Sequence, residues 1–230
     1  MGHSGALRLR LLAIAGAAAL FTVGCQSVDD RSPEATGTAT VSPGAGPTTV
    51  SPSAVPGRSL GVPELNQALP DRESLPGWNR TGDPTAHTDR FVCQSVFDNG
   101  CAGTKAIAYV DFTRGPRTTE EWVRLTFNLY SGDSEQSTRE LSAALSVSGD
   151  ELRLDEVPPA DELITTRDKT GPATVLQAKA RVGDVLIWIV VMGSEQSATP
   201  ERLQGALTLA YERVLQAKGG TTPTAGASID

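Results

Sequence analysis

The stretch ATVLQAKARVGDVLIWIVVM, Ala173 to Met192, decides the fold. In its first arm Leu176, Ala178, Ala180 and Val182 share one side and Gln177, Lys179 and Arg181 the other. That period of two is the mark of a half-buried strand. The second arm, Val185 to Met192, is apolar at every position, so it belongs in the middle of a sheet with both faces covered. Only Gly183-Asp184 separates the arms, and a glycine in first place fits a type II′ hairpin turn. Trp188 then reads as a core aromatic rather than a ligand platform.

Working outward, VRLTFNLY puts Val123, Leu125, Phe127 and Leu129 on one side and Arg124, Thr126 and Asn128 on the other. KAIAYVDFT opposes Ala106, Ala108, Val110 and Phe112 to Lys105, Tyr109 and Asp111 in the same way, with a turn at Gly115-Pro116 between the two segments. ELITTR, Glu162 to Arg167, is a further strand. The clearest helix is PERLQGALTLAYERVLQAK: Thr199 can cap it, Pro200 suits its first turn, and Leu203, Leu207, Ala210 and Val214 form one stripe. Gly219-Gly220 ends it. A second helix is expected from Ser134 to Val147 on Thr138, Leu141 and Leu145, and a short one from Pro63 to Leu69. The order of elements is that of an α+β domain, an antiparallel sheet with helices packed on it. Residues 61–218 suit one such domain.

The segments on either side have a different character. Arg8 and Arg10 precede an uncharged apolar run of 13 residues, Leu11 to Val23. A membrane-spanning helix needs about 20, so residues 1–24 read as an export signal. The run ends in FTVGC, Phe21 to Cys25. This resembles a bacterial lipobox, with Thr22 at a position where an aliphatic residue is usual. The resemblance implies a lipoprotein signal peptide, a diacylglycerol thioether on Cys25, often a further acyl chain such as palmitate on the new amino terminus, and attachment to the outer side of the cell membrane. Several acyl chains anchor a protein far more firmly than one. Residues 25–60 are dominated by Ser, Pro, Ala, Thr and Gly and cannot bury enough apolar surface to offset ordering, so they form a disordered tether. Residues 219–230 share that composition and are expected to be disordered.

The chain has 20 Lys and Arg against 27 Asp and Glu, a net charge of −7, and loss of residues 1–24 removes two arginines, giving −7 − 2 = −9. No basic patch points to nucleic acid. An acidic chain gains nothing from an anionic membrane, so attachment rests on the lipid alone.

Cysteine counting follows from the anchor. Three cysteines are one too many for disulfides alone, but Cys25 is taken by lipid and Cys93 and Cys101 remain. Outside the cytoplasm that pair should be bonded, with Asp98-Asn99-Gly100 supplying the turn. The loop-entropy account gives such a short closure about 2.5 kcal/mol. Zinc would need four ligands at closer spacing, and His87 is the one histidine left in the mature chain. No metal or other cofactor is expected.

Catalytic signals are also wanting. There is no GxSxG elbow, and any Ser-His-Asp set would have to use His87, which reads as a solvated residue of the polar loop DPTAHTDR. The acids between Asp150 and Glu162 lack the spacing of a calcium loop and read as an exposed connection.

LPGW (Leu75 to Trp78), Cys93 ahead of a strand, RVGDVLIWIVV (Arg181 to Val191) and ERLQGALTLAYERV (Glu201 to Val214) together resemble a known family. It is the extracellular sensor domain at the C-terminal end of some mycobacterial serine/threonine kinases, the PknH-like domain, which also occurs in free actinobacterial lipoproteins. The resemblance implies an extracytoplasmic binding or sensing domain with a sheet-and-helix cleft and no catalytic residues. The family usually has four cysteines in two bridges, where this chain keeps two after lipidation. The expected function is therefore a lipid-anchored, non-catalytic binding protein for a small molecule or an envelope protein. The alternative is a structural or envelope-assembly lipoprotein acting through protein contacts.

Overall fold

The hairpin that opened the reading forms as expected. Strands β6 (Ala173–Val182) and β7 (Val185–Gly193) pair in register from Thr174↔Gly193 to Val182↔Val185. Gly183 turns the chain at φ +62°, a conformation that glycine enters without penalty. The structure, a computed structural model, describes residues 58–88 and 101–230. The export signal, Cys25, most of the tether and Cys93 lie outside them.

The other strands are β1 (Asn79–His87), β2 (Thr104–Arg114), β3 (Val123–Gly132), β4 (Asp150–Glu151) and β5 (Glu162–Thr170). They form one seven-stranded sheet in the order β1-β2-β3-β7-β6-β5-β4, antiparallel throughout. Two meanders, β1 to β3 and β4 to β7, thus meet where β3 pairs with β7, and the all-apolar strand stands at the centre. With helices α1 (Val62–Ala68), α2 (Glu135–Ala144) and α3 (Pro200–Lys218), the architecture is α+β in a single domain.

The caps are those the sequence supplies. Thr199 Oγ1 accepts from the Arg202 N–H at the start of α3, and Ser134 Oγ accepts from Ser137 N at 3.1 Å at the start of α2. Helices α1 and α3 cover one face of the sheet. There Leu203, Leu207, Ala210 and Val214 meet Val185, Ile187, Ile189 and Val191 of β7 and Leu125, Phe127 and Leu129 of β3 in the main core. Helix α2 lies on the opposite face and covers only one end of it. Leu141 and Leu145 pack there with Cys101, Ile107, Tyr130 and Leu186, and Trp188 stands half-buried at the border.

Four expectations need correction. First, DPTAH is not a solvated loop but the second half of edge strand β1, whose pairing with β2 shifts register between Thr81 and Thr85. A bulge and an edge position accommodate Pro84, which can donate no ladder hydrogen bond. Second, Gln177, Lys179 and Arg181 are buried, at 9%, 4% and 8% exposure, because β4 and β5 extend the sheet beyond them and α2 lies over that end. Third, Asp161 and Glu162 are not merely solvated acids: Asp161 Oδ2 accepts from Arg181 at 3.1 Å, and Glu162 Oε1 accepts from Ser142 Oγ at 2.9 Å. Fourth, residues 219–230 lie against the domain, with Ile229 only 3% exposed.

Lys179 shows how a buried cation is kept. Helix α2 has no basic residue in its last turn, and Lys179 Nζ, from β6, donates to Ser142 O at 2.7 Å and Leu145 O at 3.3 Å, with Glu162 Oε1 3.7 Å away. It places a positive charge at the negative end of the helix and satisfies carbonyls that the helix itself cannot. Lys179→Ala should destabilise the domain by about 2–3 kcal/mol, the usual loss when buried charge-assisted hydrogen bonds are removed. Amide exchange should rise first in Glu135–Ala144. If exchange in α2 stays at the wild-type rate, the lysine does not hold the helix.

Candidate functional site

Because strand register fixes which side chains stand abreast, the half of the sheet that α2 leaves open can be read as rows. The row nearest α2 runs Thr85, Tyr109, Asn128, Trp188, Lys179, Ile164 across β1, β2, β3, β7, β6 and β5. The next runs Thr81, Asp111, Thr126, Val190, Gln177, Thr166, and beyond it Arg124, Met192 and Val175 stand abreast. Helices α1 and α3 are on the far side, and α2 reaches these rows only at Lys179, whose Nζ donates to Ser142 O and Leu145 O. Tyr109 is 40% exposed and Ile164 39%. The face is amphipathic, with aromatic and aliphatic side chains at its centre and amides, hydroxyls and an ion pair around them.

The polar groups are largely committed to one another. Arg124 Nη2 donates to Asp111 Oδ2 at 2.6 Å and Arg124 Nε to Oδ1 at 3.3 Å, while Thr126 Oγ1 donates to Oδ1 at 2.5 Å. Trp188 Nε1 donates to Gln177 Oε1 at 3.1 Å, and Asn128 Nδ2 donates to the Trp188 carbonyl at 3.3 Å. The buried Thr166 Oγ1 beside Gln177 has no hydrogen-bond partner among the described residues. His87 meets Tyr109 edge-on, with ring centroids 6.3 Å apart at 78°, so it is a packed residue of this face. With Asp111 neutralised by Arg124 and His87 set against a ring, the arrangement suits recognition by stacking and hydrogen bonding.

Two hollows lie elsewhere. One of about 290 Å³ is lined by Val62, Pro63, Asn66, Pro84, Thr85 and Ala86. The other, about 490 Å³, holds Asp150, Arg167, Asp168, Lys169 and Glu195. Glu195 Oε1 accepts from Arg167 at 2.8 Å and Lys169 at 3.1 Å, which pairs the two cations of that hollow. Those two cations hold the Glu195 carboxyl below its usual range, Lys169 first. Among the described residues no group of three or more His, Cys, Asp or Glu could hold a metal ion, and no helix is long and apolar enough to cross a membrane. Of the cysteines singled out by the sequence, Cys101 is buried beside α2, and Cys25 and Cys93 lie outside the described residues. Sequence reading missed the open face as a unit, although it had placed Tyr109, Asp111, Arg124, Thr126 and Asn128 on the outward sides of their strands.

No protein-family model and no curated protein matches the chain. Among solved structures it is similar to the crystal structure of the extracellular domain of PknH from Mycobacterium tuberculosis, at 11% sequence identity and a TM-score of 0.44, over 71% of this chain and 99% of that one.

Proposed function

We propose that the protein is a lipid-anchored, extracytoplasmic binding protein that recognises its ligand or partner across the open half of the sheet and performs no catalysis. The observation that carries the binding role is the set of rows centred on Tyr109, Asn128 and Trp188, an amphipathic surface whose charges are already paired. Such a surface favours contact by rings and amides over proton transfer. The location and the anchor rest on the sequence, FTVGC at the end of an export signal followed by a tether.

A photo-reactive amino acid placed at Asn128 should capture the partner in intact cells, while the same group at exposed Leu215 on α3 should not. Tyr109→Ala should abolish the capture and leave thermal stability nearly unchanged, since exposed side chains contribute within about 0.5 kcal/mol. Capture at Leu215 alone would move the function to the helical side.

The covalent features are checked together. Intact mass of the membrane-extracted protein should show a lipidated Cys25 and no free thiol at Cys93 or Cys101, and Cys25→Ala should leave the membrane fraction. A mutant that still sediments with membranes refutes the anchor, and two free thiols refute the disulfide.

A further inference from the structure

The last residues of the chain follow one line along α3. Arg202, Gly205, Arg213 and Gln216 recur at helical spacing and form a stripe distinct from the one that enters the core. At one end Gln216 Oε1 accepts from Thr224 N at 2.9 Å and Ala225 N at 3.2 Å, and Arg213 Nη1 donates to Ala225 O at 3.0 Å. Midway, Ala227 N donates to Ser74 O at 2.8 Å, from the turn that precedes Trp78. At the far end Ile229 lies over Gly205, where a Cβ would come within 3.3 Å of its Cγ1. The Ile229 carbonyl accepts from Trp78 Nε1 at 2.9 Å and Arg114 Nη1 at 3.1 Å. Arg202 Nε donates to Asp230 O at 2.7 Å, and Arg114 reaches Asp230 Oδ1 at 3.6 Å.

The lengths agree. Gln216 to Arg202 is about 21 Å of helix at ~1.5 Å per residue, and Thr224 to Asp230 in extended form covers about 20 Å at ~3.4 Å per residue. The tail is thus an extended peptide in a peptide-sized groove.

The groove is formed by Arg202, Gly205, Arg213 and Gln216 of α3 together with Trp78 and Arg114. A glycine inside a helix lowers its stability, and at Gly205 the missing side chain is replaced by Ile229. Burial pulls Arg202 below its ordinary value, the neighbouring Arg114 adds to this and Asp230 offsets it. Between these anchors the tail is Thr, Ala, Gly and Ser. It is held by scattered hydrogen bonds and forms no strand.

We propose that the groove between α3 and the Ser74–Trp78 turn is a binding site for an extended peptide of small residues ending in an aliphatic and an acidic side chain. Residues 224–230 are its exchangeable occupant, and a second copy of the chain can supply the same segment in trans.

The test uses the full chain carrying Ile229→Asp, which loosens its own tail, and a labelled synthetic peptide of residues 221–230. The peptide should bind saturably and shift the indole N–H resonance of Trp78. Peptides carrying Ile229→Asp or Asp230→Lys should bind at least ~10-fold more weakly, as befits loss of a buried anchor or an ion pair. The wild-type chain should bind the peptide at least ~10-fold more weakly than the variant, because a tail on a short linker competes at an effective concentration near ~1 mM. A variant that melts like the wild type yet binds no peptide overturns the proposal. Should Ile229→Asp fail to fold, a protease site placed after Gly220 and cut in the folded protein decides the matter. Exchange of the cut tail for labelled peptide supports the site, and retention without exchange makes the tail a permanent part of the core.

Discussion

Arg213→Met should unfold the domain at a temperature about 8–16 °C below the wild type, a loss of about 4 kcal/mol spread over a chain of this size. Arg213 is 3% exposed, and its guanidinium donates to five acceptors: Ala68 O at 3.2 Å, Gln67 O at 3.0 Å, Leu69 O at 2.9 Å, Ala225 O at 3.0 Å and Asp71 Oδ2 at 3.3 Å. Three of these are the last carbonyls around the C-terminus of α1, a helix with no basic residue in its final turn. Methionine keeps the length and apolar stem but takes the guanidinium donors away from those buried carbonyls. Leu215→Met, on the exposed side of the same helix, is the control and should move the melting point little. A fall of less than about 3 °C for Arg213→Met would show that the carbonyls find other partners.

The same substitution has a pH signature. Burial alone would raise the Asp71 pKa, but the Ser74 N–H at 2.8 Å and Arg213 outweigh it and hold the carboxyl below its ordinary 3.8. A carboxylate depressed on folding contributes stability that is complete above the unfolded pKa and is lost as pH falls through the folded one. Acid should therefore destabilise the wild type through Asp71 only below about pH 3.8. In Arg213→Met that decline should be smaller and should end at higher pH, because one of the causes of the depression is gone.

How much of this was legible beforehand differs by element, for physical reasons. Strands β2, β3 and β6 and helix α3 were plain, since each repeats its apolar residues at the period of its own geometry, and β7 was plain from its unbroken apolar run. Strand β1 was not. It is an edge whose pairing is broken around Gly82-Asp83-Pro84, and bulged edges have no period to read. The roles of Lys179 and Arg213 were invisible for another reason: each answers the unsatisfied carbonyls of a helix far away in sequence, a need created only when the elements pack. The tail was misjudged because composition reports what a segment can bury by itself. Here Gln216, Arg213, Arg202 and Trp78 supply the partners that the tail lacks. The open face sits between these cases. Its side chains were assigned to the outward sides of their strands, but their alignment into rows required β3 to pair with β7 across the whole second meander.

Phe127→Ala tests whether the two faces of the sheet are independent, and it should be about as damaging as the loss of Arg213. Phe127 is fully buried and meets Phe112 edge-to-face, with centroids 6.0 Å apart at 84°. Truncation removes the apolar contact and leaves a cavity in a core already packed on every side, which costs about 3–5 kcal/mol. Phe112→Ala should cost a similar amount. The double mutant should fall short of the sum by about 0.5–1.5 kcal/mol, the part that belongs to the ring pair itself. Strict additivity in urea unfolding would mean that the rings share area but no specific contact. The milder Phe127→Leu then separates stability from recognition. Its neighbours Thr126 and Asn128 point to the opposite face and keep their partners in Asp111 and the Trp188 carbonyl. A chain with this substitution should lose stability yet capture its partner from Asn128 as efficiently as the wild type. If capture fell in step with stability, recognition would depend on the core behind the sheet, and the open face would be a surface that merely happens to be bare.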